Sequence, residues 1–308
     1  MNIVIPDKIH IPEDCVRELQ SMGIMVAKDT PISTAQIISR IKDAEVITAK
    51  YIDITKDMID AVPNLKYIVS AAAGYDSIDV TYAKAKGVTV VNCPTHHSVA
   101  VAEHSIALLL GVARNTKTAN ACMANGEWDS PLLTGVELHG KQAGLIGYGT
   151  IGLHIEKLLT GFGANVSFVN SRSNATEVDT LVAESDILIV CAQLNRQTRH
   201  LLNDRRLSSM KSGAILVNVS RGAIVDQTAL LKLLKGQRIR GAGLDVFENE
   251  PLFGAPTPQI MELAKQPNVL TTPHIGYNTE ETARRLGQEL IANIKAILDG
   301  TPINIVSA

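Results

Sequence analysis

The chain has 308 residues, of which 45% are hydrophobic and 19% charged, and its formal net charge is −2. A chain of this length usually forms about two domains, and this composition supports buried cores. The charge balance creates no strong positive field, which argues against nucleic acid or a membrane surface as the main partner. No signal-peptide pattern opens the sequence, and the four cysteines form no CxxC pair. We therefore expect a cytoplasmic protein with reduced thiols and no metal site.

Short apolar segments alternate with amphipathic ones from the start of the chain. Apolar runs of this kind, bounded by turn residues, indicate buried parallel strands. Helical patterns lie between them, such as 14–23, which ends on a glycine suited to a helix C-terminus. The alternation predicts an α/β domain with a parallel sheet. The predicted strands are 2–5, 24–27, 45–49, 67–70 and 89–92.

The pattern changes after residue 97, because residues 99–126 form one long helical pattern rich in alanine and leucine. A helix of this composition is buried over much of its surface, so we expect it to span a domain, to form the interface of a homodimer, or both. A second α/β series follows, and it ends in an amphipathic helix over 281–300. The predicted strands of this series are 142–147, 165–170, 186–192, 214–220, 241–247 and 268–273.

A glycine-rich turn lies between the first strand and the first helix of the second series. Gly147, Gly149 and Gly152 make the pattern G-x-G-x-x-G. The first glycine of such a pattern forms a tight turn, the second lets the backbone approach a pyrophosphate, and the third lets the helix pack closely on the sheet. The N-terminal amides of the helix then face the phosphates. The turn therefore predicts a dinucleotide site.

The position that usually selects the coenzyme is unusual in this chain. About twenty residues past the glycines, an acid normally binds the adenosine ribose 2′-hydroxyl. Here the sequence has Asn170, followed by Ser171, Arg172 and Ser173. Loss of the acid removes its repulsion of a 2′-phosphate, and Arg172 offers a cationic fork that can bind one. We predict NADP as the cofactor, with NAD possible; if Arg172 points to solvent, the preference would be weak or dual.

Reactive side chains follow three of the predicted strands of the second series: Arg221, Asp245, Glu248, Glu250 and His274. Ligands of open parallel sheets lie beyond the carboxyl ends of the strands. An arginine can bind a carboxylate and polarise the adjacent carbonyl, and a histidine can donate a proton to the forming alkoxide. A nearby carboxylate stabilises the protonated imidazole. These residues suit carbonyl reduction, although a salt bridge and a capped loop would also explain them.

Six motifs resemble the D-isomer-specific 2-hydroxyacid dehydrogenases, the family of glyoxylate/hydroxypyruvate reductases and of D-lactate and phosphoglycerate dehydrogenases. The resemblance covers essentially the whole chain. It implies two doubly wound parallel-sheet domains with the active site in the cleft between them. A flavodoxin-like substrate domain would comprise 1–97 plus 283–308, and a Rossmann coenzyme domain 98–282. The motifs are AAAGYDSID (71–79), VAEHSIALLL (101–110), GKQAGLIGYGTIG (140–152), VNVSRGAIVDQTAL (217–230), GLDVFENEP (243–251) and TPHIGYNTEET (272–282).

The resemblance also implies roles for individual residues. Arg221 would bind the substrate carboxylate and carbonyl, His274 would be the acid/base, and Glu250 would be its partner. The backbone amides of Ala73 and Gly74 would hold the other side of the carboxylate. The residues expected around the cofactor are Asp245, which would face the nicotinamide carboxamide, and Thr150, Ile151, Ala192, Gln193, Thr198, Val219 and Ser220.

The chain departs from the family at 191–202, where Cys191, Gln193 and Arg196 replace a histidine and two prolines. Arg196 would add positive charge beside the adenosine pocket. The expected function is reduction of a small 2-oxo acid to the D-2-hydroxy acid by hydride transfer from NAD(P)H. A dinucleotide-sensing binding protein or corepressor on the same scaffold is the alternative. Oxidation of formate is disfavoured by Glu250, because the resemblance implies a glutamine in place of this glutamate beside the histidine of formate-oxidising relatives.

The part of the substrate beyond its carboxylate stays open at this point. Lys50 is interpreted either as a contact for a second anionic group or as a solvated lysine.

Overall fold

The structure is a computed structural model that describes residues 1–31, 33–128, 131–251 and 254–306. The chain divides into two compact units, the first made of Met1–His97 with Asn278–Ala308 and the second of Ser98–Tyr277. From the sequence, the second boundary is expected after residue 282. The last helix begins at Glu280 and takes its N-cap from Thr279, and the whole helix belongs to the first unit.

The first unit contains a five-stranded parallel sheet. Its strands follow the order β2-β1-β3-β4-β5, and every neighbouring pair is parallel. The order reverses between β1 and β3, and the crevice at such a reversal is where ligands of open parallel sheets bind. The strands are β1 (Ile3–Ile5), β2 (Met25–Val26), β3 (Val46–Ala49), β4 (Tyr67–Ser70) and β5 (Thr89–Val91).

Four helices of the described chain connect these strands: α1 (Glu13–Ser21), α2 (Thr34–Ile41), α3 (Lys56–Asp60) and α4 (Val80–Ala85). Two of them begin at side chains that accept a backbone hydrogen bond of the first turn. Ser33 Oγ accepts from the Gln36 amide at 3.3 Å, and Asp79 Oδ1 accepts from the Tyr82 amide at 2.9 Å. Such caps satisfy amides that a helix start leaves unpaired, which fixes where these helices begin.

The second unit contains a six-stranded parallel sheet in the order β11-β10-β9-β8-β6-β7. The two parallel sheets confirm the predicted α/β fold class. In the Rossmann order 3-2-1-4-5-6 the third strand lies outside the second. Here the third strand of the unit, β8, lies beside β6, so β7 forms the edge. The strands are β6 (Gln142–Ile146), β7 (Asn165–Val169), β8 (Ile187–Val190), β9 (Ile215–Asn218), β10 (Gly241–Leu244) and β11 (Val269–Thr271).

The remaining helices are α5 (Ser98–Ala113), α6 (Thr116–Ala124), α7 (Thr150–Gly161), α8 (Ala175–Glu184), α9 (Asp204–Ser209), α10 (Gln227–Lys235) and α11 (Pro258–Ala264) of the second unit, and α12 (Glu280–Leu298) of the first. Short 3-10 turns occur at Pro131–Leu133 and Gly222–Ile224. Among the described helices, none combines the length and the apolar character needed to cross a lipid bilayer.

Residues 99–126 do not form the single helix that the sequence predicted. Helix α5 ends at Ala113 and α6 begins at Thr116, with Asn115 between them at a φ of 54°. A left-handed residue ends an α-helix, and asparagine adopts this conformation more readily than most side chains. The Asn115 side-chain Nδ2 donates to the carbonyls of Leu133 at 3.2 Å and Thr134 at 3.1 Å. The break is therefore held by the segment that precedes β6.

Hydrophobic clusters cover both faces of each sheet. In the second unit, Leu109, Ile155 and Ile189 belong to the cluster on one face, and Leu188 and Leu216 to the cluster on the other. All five side chains are fully buried. Full burial of a leucine or isoleucine side chain contributes about 1.5–3 kcal/mol. These clusters therefore fix the strands whose carboxyl ends carry the site residues.

Candidate active site

The glycine-rich turn connects β6 to α7 at the point where the strand order reverses between β6 and β8. Gly147 has a φ of 99°, and a Cβ added there would lie 2.6 Å from the Cα of Ala192, so a side chain is excluded. A Cβ added at Gly149 would meet no atom within 4 Å, and one added at Gly152 would lie 3.0 Å from the Gly147 oxygen. The backbone at Gly149 therefore borders open space, as binding of a pyrophosphate requires.

An aromatic stack supports this turn, and the sequence analysis did not identify it. The Tyr148 ring lies parallel to the Phe168 ring of β7, with centroids 3.6 Å apart and an interplanar angle of 4°. The Tyr148 hydroxyl hydrogen-bonds to Glu156 of α7. Helix α7 begins with Thr150 and Ile151 directly after this turn, so its first amides lie at the same edge of the sheet.

The turn at the end of β7 carries the residues predicted to select the coenzyme. Asn170 Oδ1 accepts from the Arg172 amide at 2.9 Å, and Ser173 Oγ accepts from the Asn170 amide at 3.2 Å. The side-chain oxygen of Asn170 is thus used within the turn, while its side-chain Nδ2 group is a donor. The side chains of Asn170, Ser171 and Arg172 are exposed. No carboxylate occupies residues 170–173, so nothing in this turn repels a phosphate.

The segment after β8 is held mainly by its own hydrogen bonds. Thr198 Oγ1 donates to the Gln193 carbonyl at 2.7 Å and accepts from the Asn195 amide at 2.8 Å. The Cys191 thiol lies 3.1 Å from the Gly147 carbonyl, to which it donates, and burial raises its pKa to about 12. The Arg196 side chain is exposed. This segment therefore borders the glycine turn through Cys191, and Cys191 stays a protonated thiol.

The turn after β9 is fixed by Asn218. Its Oδ1 accepts from the Ser220 amide at 3.1 Å, and its Nδ2 donates to the Arg221 carbonyl at 3.0 Å. Ser220 Oγ donates to the Ala192 carbonyl, and Val219 is buried. The Arg221 side chain is partly buried, with Nη1 donating to the Ser220 carbonyl at 2.9 Å. The guanidinium is therefore held at the carboxyl end of a central strand.

His274 and Glu250 form a hydrogen-bonded pair that follows two neighbouring strands, β10 and β11. His274 Nδ1 lies 2.7 Å from Glu250 Oε2, and Glu250 Oε1 accepts from the Phe247 amide at 2.6 Å. An ionised carboxylate only accepts hydrogen bonds, so Nδ1 carries a hydrogen. Nε2 is then the nitrogen that is left to exchange a proton with a ligand. The His274 side chain is 39% exposed. The arrangement thus presents an oriented imidazole that a substrate can reach.

Asp245, at the end of β10, is 1% exposed and is engaged by its own chain. Its carboxylate accepts from Thr272 Oγ1 at 2.6 Å, from the Ile275 amide at 2.9 Å and from the Gly276 amide at 2.8 Å. Burial acts to raise the pKa of Asp245, but the hydrogen bonds, with His104 foremost, outweigh it and leave the pKa below its ordinary value. Asp245 therefore anchors the turn that carries His274, a role that the sequence did not suggest.

In the first unit, the turn after β4 contains Ala73 and Gly74. The Ala73 carbonyl accepts from Asn92 Nδ2 at 2.8 Å, and the Gly74 carbonyl accepts from Ser70 Oγ at 2.8 Å. Within the described part of the chain, neither amide N–H of these two residues donates a hydrogen bond. A turn with fixed carbonyls and available amides is a suitable anion-binding element.

Two further histidines in the second unit were missed from the sequence. His200 Nε2 lies 2.5 Å from Glu248 Oε1, and His104 Nε2 lies 2.9 Å from Thr272 Oγ1. Glu248 was singled out without its partner. The one sequence signal for His104 is its place in a short polar stretch, between Glu103 and Ser105, of the mostly apolar helix α5.

Comparison with known proteins places the chain among oxidoreductases. Residues 106–276 match the NAD binding domain of the D-isomer specific 2-hydroxyacid dehydrogenases. The chain is 36% identical to a glyoxylate reductase of Thermofilum pendens, covering 94% of this chain and 90% of that protein. It is 35% identical to a D-3-phosphoglycerate dehydrogenase of Methanocaldococcus jannaschii over 97% of this chain, and it spans 58% of that relative.

A solved structure of similar length agrees with this assignment. An acyclic imino acid reductase, Bsp5, in complex with NADPH and D-Arg has a TM-score of 0.90 and 31% identity, with 100% of each chain covered. The chain therefore belongs to the D-isomer specific 2-hydroxyacid dehydrogenase family, whose members are NAD(P)-dependent oxidoreductases that act on CH–OH donors.

Proposed function

We propose that this protein reduces a small 2-oxo acid to the D-2-hydroxy acid and prefers NADPH to NADH. The observation that carries the proposal is the His274–Glu250 pair, with Nδ1 and Oε2 2.7 Å apart. Carbonyl reduction needs one proton at the oxygen that becomes the hydroxyl, and a histidine oriented by a carboxylate can donate it. Similarity to a glyoxylate reductase supports the substrate class.

The residues of this chain provide the remaining requirements of the reaction. The glycine turn at Gly147, Gly149 and Gly152 would hold a nicotinamide coenzyme, which when bound would supply the hydride for the carbonyl carbon. His274 Nε2 gives its proton to the carbonyl oxygen, while Glu250 holds the imidazole in one orientation through Nδ1. Arg221 binds the substrate carboxylate and polarises the neighbouring carbonyl, since its planar fork matches a carboxylate.

The amides of Ala73 and Gly74 are part of the same proposal as a second element that binds the substrate carboxylate. Their carbonyls are held by Asn92 and Ser70, which keeps the two amides in a fixed orientation. Backbone amides held in this way bind an anion without reorganising, so they favour substrates with a carboxylate beside the reacting carbonyl.

The preference for NADPH follows from the turn after β7. A 2′-phosphate placed there would meet the exposed Arg172 guanidinium, the Asn170 Nδ2 donor and the Ser171 hydroxyl, and no acid. Each hydrogen bond to a charged group contributes about 1.5–3 kcal/mol, which corresponds to a preference of about 10- to 100-fold from Arg172 alone. Similarity to a reductase solved with NADPH supports this choice.

We also propose a cytoplasmic homodimer that associates through the region 99–126. Exposed apolar side chains support this interface, because Val99 is 42% and Met123 59% exposed, and Trp128, two residues past the region, is 86% exposed. Large apolar side chains in water favour burial against a partner. Sedimentation of the wild type and of Met123→Lys would test the interface, and an unchanged dimer in the variant would count against it.

A substrate and coenzyme panel tests the main proposal. Glyoxylate, hydroxypyruvate, pyruvate and phenylpyruvate are each offered with NADPH and with NADH, and oxidation of the coenzyme is followed. We expect turnover with at least one oxo acid and loss of that turnover in Arg221→Lys through a higher KM for the acid, because lysine lacks the bidentate fork. Coenzyme binding without turnover of any substrate would favour the binding-protein alternative.

The coenzyme preference has its own test. The ratio of kcat/KM for NADPH and NADH is measured in the wild type, Arg172→Ala, Asn170→Asp and Arg238→Ala. Arg238 is an exposed arginine of the same unit and serves as the matched control. We expect NADPH to lead in the wild type and in the control, and both substitutions at the turn to reduce that lead. A wild type that prefers NADH would contradict the proposal.

A second candidate is reduction of the C=N bond of an acyclic 2-imino acid. The similarity to the imino acid reductase over the full length of both chains favours it. An imino acid shares the carboxylate that Arg221 would bind, and its nitrogen replaces the carbonyl oxygen. Repeating the panel with added methylamine distinguishes the two candidates, because imine reduction would yield the N-methylamino acid in place of the hydroxy acid.

A further inference from the structure

Three consecutive amides of the turn that carries His274 point at one residue, Asp245. The His274 amide donates to the Asp245 carbonyl at 2.8 Å, the Ile275 amide to Oδ1 at 2.9 Å and the Gly276 amide to Oδ2 at 2.8 Å. His274 has a φ of 53°, in the left-handed region that residues other than glycine rarely adopt. Such a conformation persists only where its surroundings hold it, and here Asp245 supplies three of the holding bonds.

Asp245 is in turn held by a chain of two side chains. Thr272 Oγ1 donates to Asp245 Oδ1 at 2.6 Å, and His104 Nε2 lies 2.9 Å from the same hydroxyl. A hydroxyl has one hydrogen, and Thr272 gives it to Asp245, so the hydroxyl accepts from His104 and Nε2 carries a hydrogen. His104 Nε2 also lies 3.3 Å from Asp245 Oδ1. The order of donation is therefore His104 to Thr272 to Asp245.

The packing around this chain leaves little freedom. A Cβ added at Gly276 would lie 2.9 Å from Asp245 Oδ2 and 3.4 Å from His104 Cδ2. The His104 side chain is 19% and that of Asp245 2% exposed. The carboxylate thus has donors on both oxygens and no room to rotate, and a network of this kind stays rigid only while every member is present.

We propose that His104 and Thr272 are positioning residues for the reaction, because they fix the Asp245 carboxylate that holds His274 in its left-handed conformation. This inference rests on the proposed role of His274 as proton donor. Neither side chain touches the reacting atoms in this account. Their effect reaches the reaction through the direction in which the backbone at residue 274 points the imidazole towards Glu250.

The test uses matched pairs of variants. His104→Leu removes the donor, whereas His104→Gln retains an N–H that reaches a similar position. Thr272→Val removes the hydroxyl, whereas Thr272→Ser retains it. His139→Leu, an exposed histidine of the same unit, is the control. Three quantities are measured: hydrogen exchange of the amides of 274–276, kcat, and the dissociation constant of the coenzyme.

We expect His104→Leu and Thr272→Val each to accelerate exchange at 275 and 276 and to lower kcat about 10- to 100-fold, the usual cost of a misplaced catalytic group. The dissociation constant of the coenzyme should change much less than kcat, since the glycine turn is untouched and only the expected contact of Asp245 with the nicotinamide is affected. The Gln and Ser variants should recover most of both effects. The double variant should be no worse than either single one, because both substitutions break the same chain.

Each opposite result overturns the inference. Unchanged exchange in His104→Leu would mean that the chain does not hold the turn. Faster exchange with unchanged kcat would mean that the turn is held but does not position His274. No recovery in His104→Gln would show that packing, and not the N–H donor, matters. His274→Ala reports separately on the proposed function, so a failure there is distinguishable from a failure of this inference.

Discussion

Two buried aspartates follow parallel strands of this protein, one in each unit, and their surroundings differ. Asp7 follows β1 and is 0% exposed, and Asp245 follows β10 and is 1% exposed. Both oxygens of Asp245 accept hydrogen bonds. At Asp7 only Oδ2 accepts, from the amides of Lys50 at 3.1 Å and Tyr51 at 2.7 Å, and Oδ1 has no partner among the described residues.

The difference in hydrogen bonding reverses the effect of burial on the two carboxyl groups. Burial is the largest influence on both, and it acts to raise the pKa. At Asp7 burial prevails over the two amides and the pKa is raised, whereas at Asp245 the bonds from His104, Thr272 and the turn amides prevail and the pKa is lowered. Burial therefore sets the cost of the charge, and the number of donors decides whether the charge is kept.

Lys50, next to Asp7, shows the same cost for a cation. Burial lowers the pKa of its ammonium to about 8, while the charges of Cys93 and Asp7 oppose the shift. Its Nζ lies 3.4 Å from the Ala71 carbonyl, to which it donates. Lys50 is therefore partly buried and not freely solvated, and its role as a contact for a second anionic group stays a prediction.

The largest expected effect separates the two aspartates directly. Asp245→Asn replaces one carboxylate oxygen by an NH2 donor, which then faces either the Gly276 amide or the Thr272 hydroxyl and the Ile275 amide, so one side of a satisfied network becomes repulsive. We expect a loss of about 3–5 kcal/mol in the free energy of unfolding, as for broken buried ion networks. We also expect kcat to fall about 100-fold because His274 loses its position. Urea unfolding and steady-state kinetics measure the two losses, and Asp7→Asn is the control.

If Asp245→Asn and Asp7→Asn cost the same, the comparison fails. The pH dependence of Asp245→Asn gives a second check. The folded pKa of Asp245 is lowered from 3.8, so its contribution to stability is present above that pH and is lost as the pH falls through the folded value. The stability difference between wild type and variant should therefore shrink in acid.

The next largest effect concerns Lys50. Its folded pKa of about 8 lies below the ordinary 10.5, so the unfolded chain binds this proton more tightly. The wild type should therefore gain stability relative to Lys50→Met as the pH rises from about 8 to 10.5, by up to about 1.4 kcal/mol per pH unit. Urea unfolding between pH 7 and pH 10 measures the gain, and Lys8→Met, at an exposed lysine, should show none.

The smallest effect is expected for Asp7→Asn. Replacing a half-satisfied buried carboxylate by an amide keeps an acceptor for the two backbone amides and removes a buried charge. We expect the variant at pH 7 to lie within about 1 kcal/mol of the wild type, or to be more stable. Because the folded pKa of Asp7 is raised from 3.8, the wild type should lose stability relative to the variant as the pH rises through the raised value.

This trend is opposite in direction to the one for Asp245→Asn, and two variants with the same trend would refute the account. Asp53→Asn, at an exposed aspartate beside the same segment, controls for a general effect of the substitution.

The strands of the second unit could largely be predicted from the sequence, whereas the break in the long helical pattern could not. Apolar runs located the strands well, since 142–147 and 165–170 were predicted and β6 and β7 run from Gln142 to Ile146 and from Asn165 to Val169. Burial of a strand on both faces leaves a continuous apolar signal in the sequence. The break at Asn115 was not predicted, because it depends on a left-handed residue held by carbonyls of a later segment.

The residues of the candidate site also fall into those that the sequence indicates and those that only the structure reveals. The sequence motifs indicated Arg221, Glu250 and His274 as site residues, because a reactive residue that follows a predicted strand can be recognised without knowing its contacts. The chain from His104 through Thr272 to Asp245 was missed, because it joins residues 168 positions apart by hydrogen bonds that have no periodicity. The unpartnered Oδ1 of Asp7 was missed for the same reason: hydrogen-bond satisfaction is a property of the packed structure.

We expect the turn held by Asp245 to present His274 as the proton donor, and the most direct test is reduction of a 2-oxo acid at saturating NADPH by the wild type and by His274→Ala. We predict a loss in kcat of at least about 100-fold with unchanged coenzyme binding, and partial recovery when imidazole is added. A variant that retains activity within about threefold of the wild type would remove His274 from the reaction and contradict the account.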